Sequence, residues 1–256
     1  MSRPFPARTG VASVARLEPL TPHMTRFVLA GPALDDFFVE EPGEIVTLLW
    51  PAPGRELVLP EGGWRFPPGV AVVQHARNYT VRRWDADERE LHVDFVIHGD
   101  EGRASAWAMN AKPGDPVGFA GPRVHWTSAR EGDWTLLVAD ETGLPALAAI
   151  AEDLPAGHPA IALVEIDSEA EQQAIESRAD LDLRWLHRDG AHAGTAGLIP
   201  DALRGLELPQ GAGRAGGGGE STIMQKVRRH LRERRGVMPE AMTILGYWKY
   251  RPGAPG

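Results

Sequence analysis

The chain has 256 residues, of which 43% are hydrophobic and 24% charged, with a net charge of −8 and no cysteine. That length and composition suit a soluble globular protein with one large or two ordinary domains. The negative balance argues against a general nucleic-acid binder, and the lack of cysteine excludes disulfides, zinc-thiolate sites, iron–sulfur clusters and cysteine nucleophiles. Residues 1–20 contain no apolar core of signal-peptide length, and no stretch approaches the roughly 20 apolar residues of a membrane span, so the sequence reads as a cytoplasmic protein.

Up to about residue 127 the signals are mostly β. Segments 11–18, 24–30, 44–50, 77–84, 91–98 and 115–120 are short, rich in Val, Ile, Phe and Trp, and separated by Pro and Gly. In LHVDFVIH, Leu91, Val93, Phe95 and Ile97 alternate onto one face. Such runs predict a small antiparallel barrel. Segment 102–115 holds one short helix, closed by Lys112-Pro113-Gly114. From residue 133 the pattern changes. WTLLVAD (134–140) and AIALVEI (160–166) read as buried parallel strands, each followed by a helical segment, the second over Glu169 to Arg178. A strand at 183–187, a helix near 198–205, an amphipathic helix at 221–236 and a strand at 242–248 complete an α/β layered sheet. Thr142 and Ser221 are the expected N-caps of their helices. The glycine-rich segment 211–219 falls where a strand belongs, but it offers few side chains to a core and loses much entropy on ordering, so it is expected to be a loop.

Three segments have the chemistry of a cofactor site. In RNYT (77–80), extended backbone puts Arg77 and Tyr79 on one face and Asn78 and Thr80 on the other. Arg77 suits a two-pronged pairing with phosphate. Tyr79 suits contact with a flat ring, and Thr80 a hydrogen bond to a ring nitrogen. A twist or bulge is needed for Tyr79 and Thr80 to reach one ring, and an ordinary edge strand explains these residues alone at least as well. HGDEGRAS (98–105) runs from a strand through glycines into a short helix, where backbone N–H groups and the Ser105 hydroxyl could hold a diphosphate. ADETGLPALAA (139–149) follows the first strand of the α/β region, and open α/β sheets bind ligands outside the carboxyl ends of their strands. Neither GxGxxG nor GxxxxGK is present. The basic residues Lys226 to Arg235 read as solvated helix surface. His187 and His192 lack a carboxylate partner in helical register for a metal.

These segments, with PGDPVGFAGPR, the Gly-Glu-Ser before the basic helix, and GYWK, occur in the order typical of siderophore-interacting proteins. The chain resembles that family of flavin-dependent ferric-siderophore reductases, within the ferredoxin-reductase-like superfamily, over roughly residues 10–250. The resemblance implies an N-terminal FAD-binding β-barrel, residues 1–127, and a C-terminal α/β parallel-sheet domain for NADPH or NADH, residues 128–256. It implies flavin and phosphate contacts at Arg77, Tyr79 and Thr80. It gives a pyrophosphate segment at His98, Gly99, Gly102, Ala104 and Ser105. It gives nicotinamide-nucleotide positions at Asp140, Thr142, Glu220 and Trp248. Two departures stand out: Arg214 to Gly218 replaces an apolar strand containing Trp, and Gly143 stands where Ala is frequent.

The expected function is reduction of a ferric siderophore through FAD, with release of Fe²⁺. Flavin suits this because a hydride carries two electrons and Fe³⁺ accepts one. No catalytic triad or acid–base pair is expected. Lys249, Arg123 and Arg55 are the candidate basic contacts to an anionic chelate. Alternatives are a flavin reductase with another acceptor, a ferredoxin as electron donor, and a flavin-binding protein without turnover, which the glycine-rich segment favours.

Overall fold

The computed structural model of the chain describes residues 8–51, 54–61, 66, 75–97, 103–126 and 132–251. These residues form two compact units, one ending at His125 and one beginning at Trp126.

The first unit is an antiparallel sheet of seven strands in the order β4-β3-β7-β1-β2-β6-β5. The strands are β1 (Arg8–Thr21), β2 (Met24–Ala30), β3 (Ile45–Trp50), β4 (His75–Thr80), β5 (Arg83–Asp85), β6 (Glu90–Val96) and β7 (Pro116–Arg123), with helix α1 (Arg103–Asn110) before β7. The expected alternation holds in β6, where Leu91, Val93 and Phe95 enter a core shared with Phe27, Leu29, Leu48 and Phe119. The run expected at 77–84 is broken at Val81. β4 pairs with β3, whereas β5 pairs with β6 at the opposite edge. The change of partner is visible in the backbone: Val81 N donates to Glu44 O (2.7 Å) and Arg82 N to His92 O (2.9 Å). Adjacent residues thus join the two ends of the sheet, and the barrel expectation survives in this form.

The second unit is a five-stranded sheet in the order β10-β9-β8-β11-β12, with every neighbouring pair parallel. Its elements are β8 (Trp134–Asp140), α2 (Leu144–Asp153), β9 (Pro159–Ile166), β10 (Asp180–His187), α3 (Leu198–Arg204), β11 (Gly213–Glu220), α4 (Ser221–Arg235) and β12 (Met242–Trp248). The strand order reverses between β8 and β11, which makes their carboxyl ends the topological switch point. Helix α4 packs through Ile223, Met224, Val227 and Leu231, in a core with Leu136, Val138 and Ala215.

Two expectations are corrected here. Residues Glu169 to Arg178 do not form a helix. One 3₁₀ turn covers Glu169–Glu171, and the chain then runs without regular structure to β10. The segment EAEQQAIESR has too few apolar residues to make a helical stripe worth burying. The glycine-rich segment is not a loop. It forms β11, a central strand between β8 and β12. Aromatic rings from elsewhere in the chain fill the space above its glycines. A Cβ at Gly213 would lie 1.9 Å from Cζ2 of Trp134, one at Gly216 2.3 Å from Cζ3 of Trp126, and one at Gly218 2.6 Å from Cζ of Tyr247. Arg214 lies over the Trp126 ring, 4.7 Å from its centroid. The two buried rings, Trp134 and Trp126, each contribute on the order of 150–250 Å² of contact, which offsets the roughly 0.5–1 kcal/mol of backbone entropy lost per strand glycine.

At Gly217 the constraint comes from the backbone itself. Its φ is +149°, and a Cβ would sit 1.8 Å from the carbonyl oxygen of Val138. Gly217→Ala is therefore expected to destabilise the protein by at least about 2 kcal/mol. Gly205, where an added Cβ meets nothing nearer than 3.9 Å, should accept Ala with little change. Urea unfolding of the two variants beside the parent checks both.

Candidate functional site

In the first unit, the β3–β4 ladder runs without a bulge from Ile45↔Thr80 to Trp50↔His75. Arg77 and Tyr79 therefore share one face, and Thr80 points its side chain to the other. Arg77 is exposed, and among the described residues its Nη1 donates to the neighbouring Ala76 carbonyl (2.9 Å). The Tyr79 ring stacks on Phe95, with centroids 4.1 Å apart, and meets Trp50 edge-on. Burial pushes the Tyr79 phenol well above its usual range, against the pull of the Arg77 charge. The Thr80 side chain is buried. The twist needed to bring Tyr79 and Thr80 to one ring is absent from the ladder.

Helix α1 packs on β4 and β6, and it carries half-buried Ala104 and buried Ser105 to the same region. His98, Gly99 and Gly102 lie outside the described residues. Arg55 is exposed on the turn beyond β3. Arg123, expected as a substrate contact, is half-buried. Its Nη2 donates to Thr47 Oγ1 (2.7 Å) and Asn78 Oδ1 (2.6 Å), and Thr47 Oγ1 donates to the same Asn78 oxygen. Asn78 and Thr47 were not legible as site residues, although Asn78 stands inside the RNYT segment and shares its face with Thr80.

In the second unit, Asp140, Thr142, Glu220 and Trp248 do converge, at the carboxyl ends of β8, β11 and β12. Asp140 is fully buried at the centre. Its Oδ1 accepts from Thr142 N (2.9 Å) and Thr142 Oγ1 (2.6 Å), with Gly143 N at 3.4 Å. Its Oδ2 accepts from Glu220 N (2.8 Å) and Trp248 Nε1 (2.8 Å). One carboxylate ties together the ends of three strands. Burial pushes its carboxyl up, while the bonds from Thr142, Trp248 and Glu220 pull it down.

Glu220 is 1% exposed. Its Oε2 caps α4 by accepting from Ile223 N (2.8 Å), and its Oε1 accepts from Tyr250 N (3.2 Å). Glu220, not Ser221, is the N-cap of α4. Ser221 Oγ instead donates to the Trp248 carbonyl (2.6 Å). The N-cap of α2 is Gly143 rather than Thr142, because the Thr142 hydroxyl turns back to Asp140. These side chains therefore shape the crevice and are spent on one another. Lys249 is exposed just past β12. A Cβ on Gly194 would lie 2.9 Å from the Trp248 ring, so the loop after β10 also closes against this cluster.

Beside Asp140 lies a second buried group. Arg188, with a side chain 7% exposed, pairs in two-pronged fashion with Glu141: Nη1 donates to Oε2 (2.9 Å) and Nη2 lies 2.7 Å from Oε1. Glu165 is 1% exposed, and burial pushes its carboxyl up while Arg188 pulls it down. Sequence reading missed Arg188 and Glu165, because they are ordinary charged residues until the strands align them.

The fold is ferredoxin-reductase-like. A ferredoxin NADP⁺ reductase from Neisseria gonorrhoeae shares it with a TM-score of 0.65 at 14% identity, over 94% of this chain and 99% of that one. Within that class, the siderophore-interacting FAD-binding domain matches residues 13–126, and the siderophore-interacting protein domain matches residues 132–251. The chain belongs to the siderophore-interacting protein family. A siderophore utilization protein from T. fusca is 35% identical, with a TM-score of 0.88 over 100% of this chain and 97% of that one. The NADPH-dependent ferric-chelate reductase of Escherichia coli K12 is 31% identical over 92% of this chain and 91% of its own length.

Two measurements probe the second unit. Asp140→Ala strips the acceptor from Thr142 N, Glu220 N and Trp248 Nε1 at about 1–3 kcal/mol each, so a loss above about 3 kcal/mol is expected in urea unfolding. The pH dependence follows from the buried carboxyls. Burial raises Asp140, Glu165 and Glu44. The folded chain then keeps protons that the unfolded chain has released. Stability should fall as pH rises from the ordinary carboxylate range through the raised values. Glu165→Gln should lose less stability than the parent over that rise, measured by urea unfolding from roughly pH 4 to 8.

Proposed function

We propose that the chain is an FAD-dependent reductase of ferric siderophores that draws its electrons from NADPH or NADH and acts in the cytoplasm. The observation that carries this reading is the crevice at the switch point of the second unit. β11 is in place, so both strands that flank the crevice are formed. The starts of α2 and α4 meet there around Asp140, as a dinucleotide diphosphate needs.

The first unit fits FAD by its donor set. An exposed Arg77 guanidinium, with one neighbouring carbonyl as its partner among the described residues, suits a phosphate, and Tyr79 braced by Phe95 supplies ring surface. Thr80 contributes through its backbone, since its side chain is buried on the other face. Ala104 and Ser105 place the start of α1 toward the diphosphate. A bound flavin would accept an electron pair and pass electrons singly to Fe³⁺. The chain's own residues bind and orient; no side chain described above is required to exchange a proton with the chelate. Lys249, exposed and without a carboxylate partner among the described residues, is the residue that draws in an anionic ferric siderophore, and Arg123 is given over to Thr47 and Asn78. Fe²⁺, held more weakly by such chelators, then leaves.

The test is an anaerobic titration of the FAD-loaded protein with NADPH and with NADH, following the flavin's visible absorption. Bleaching by either, and recovery of the oxidised spectrum on adding a ferric siderophore, is the expected outcome. If only a chemical reductant bleaches the flavin, the nicotinamide reading fails and a protein donor such as ferredoxin takes its place. Arg77→Ala should weaken FAD retention by about tenfold or more, the worth of one charge-assisted phosphate contact. Equal retention in equilibrium dialysis would remove Arg77 from the phosphate role.

A further inference from the structure

We propose that β10 is a self-association edge: two copies of the chain pair through it, antiparallel about Leu183, and their five-stranded sheets join into one.

β10 ends its sheet, with β9 as its one strand neighbour among the described residues. Asp180 N donates to His158 O (3.0 Å), and Arg188 N donates to Ile166 O (2.9 Å). Backbone direction alternates along a strand, so Asp182, Arg184 and Leu186 also turn their N–H and C=O groups to β9. Leu181, Leu183 and Trp185 turn theirs to the open side, where no backbone bond meets them among the described residues. Such a row is a template for a further strand.

The strand also lacks a helix over one face. Right-handed crossovers put the β8–β9 and β9–β10 connections on the same face of the sheet. The first connection contains α2, which packs on β8, β9 and β11. The second has only the turn at Glu169–Glu171 and irregular chain. Leu186 joins the core formed with α3 and α4 on the opposite face. By alternation Leu181, Leu183 and Trp185 point to the α2 face, and all three are half-buried.

The sequence of β10 makes a second copy its fitting partner. In an antiparallel pair centred on Leu183, each Asp182 stands opposite Arg184 of the other copy, and each Leu181 stands opposite its Trp185. The outward-facing residues then form the hydrogen-bonded pairs. The two Asp182–Arg184 pairs fall at the closer, non-hydrogen-bonded positions. Edge strands are commonly guarded by charge, but here the guards have opposite signs on either side of the centre. A register centred on Leu181 instead sets Asp180 against Asp182, so the charges favour the Leu183 register. Within one chain Arg184 Nη2 lies 2.6 Å from Asp182 Oδ2, and both side chains are 48% exposed. A second copy can therefore share the pair without unburying either charge. The apolar Leu181, Leu183 and Trp185 gain cover on the other face. The pairing needs neither flavin nor nucleotide, so its outcome is independent of the reductase reading.

The test is sedimentation equilibrium of the FAD-loaded full chain over roughly 1–200 μM, since one strand pair makes a small interface with an expected dissociation constant in the micromolar range. The mass should rise from one chain towards two. Arg184→Asp places like charges opposite each other twice per dimer and should weaken association by about tenfold or more. The double exchange Asp182→Arg with Arg184→Asp restores opposite signs and should recover the parent constant within about threefold. Urea unfolding like that of the parent is expected for both, because the exchanged side chains are exposed and the β9 ladder is untouched. The register has its own probe, because the chain has no cysteine. Leu183→Cys brings two thiols together at a pair with Cα atoms about 5.5 Å apart, within disulfide reach, and should cross-link under mild oxidation. Trp185→Cys leaves its two copies about 13 Å apart along the strands and should not. One-chain mass at every concentration overturns the proposal. So does a dimer that Arg184→Asp leaves unchanged, a weakened dimer that the double exchange fails to recover, or equal cross-linking of Leu183→Cys and Trp185→Cys.

Discussion

The second unit depends on one buried carboxylate. Asp140 ends β8, yet its two oxygens receive donors from the turn into α2, from the first residue after the glycines of β11, and from the indole at the end of β12. An isolated carboxylate at this depth would cost several kcal/mol in lost hydration, and the ring of N–H and O–H groups replaces that hydration. The arrangement works only if three strands end at the same level. The parallel register, the position of α4 and the closure of the loop at Gly194 are then mutually fixed. The switch point gains a floor of hidden carboxylates and an upper surface of helix starts. A diphosphate could meet that surface without facing the charge beneath it.

Much of this was legible in the sequence, because it depended on local pattern. The alternation of Leu91, Val93 and Phe95 marked the face of β6 that enters the apolar core, although His92 and Asp94 on its other face are buried as well, and the unbroken apolar runs at 134–140 and 160–166 gave strands covered on both faces. The spacing of Ile223, Val227 and Leu231 marked the buried stripe of α4. The failures lie where a partner distant in sequence overrides local preference. Residues 211–219 looked unfit for a strand because glycine propensity is judged alone. The rings that complete the strand come from positions 126, 134 and 247, and nothing local shows that they arrive there. Glu169 to Arg178 failed for the opposite reason: alternation of strand and helix was assumed where the residues had no apolar face.

The site residues were found more readily than their roles. Asp140, Thr142, Glu220 and Trp248 stand together as the motif order implies, but their polar atoms bond mainly to one another and to backbone. A sequence motif reports that a position is constrained; whether the constraint is a ligand or the scaffold beneath it depends on hydrogen-bond direction. Thr142 and Ser221 illustrate this. Both are plausible caps by residue type, and both were displaced because a stronger local acceptor, Asp140 or the Trp248 carbonyl, claimed the hydroxyl. Arg188 and Glu165 went unseen as neighbours of Glu141 for a related reason, since only the strand register brings together residues so far apart.

The packing of rings onto glycines also limits how this sheet can change over time. A larger residue at Gly216 has no room while the buried Trp126 stays, and one at Gly213 has none while the buried Trp134 stays. Shrinking either buried tryptophan first would leave a cavity over bare backbone, which is itself destabilising. Each glycine and its ring therefore form a coupled pair whose single changes are both harmful and whose joint change is tolerable. Relatives with an apolar side chain in this strand should carry a smaller residue at the position of the opposing ring. The glycine-rich run is then one of two alternative ways of filling the same volume, with the bulk supplied from outside the strand.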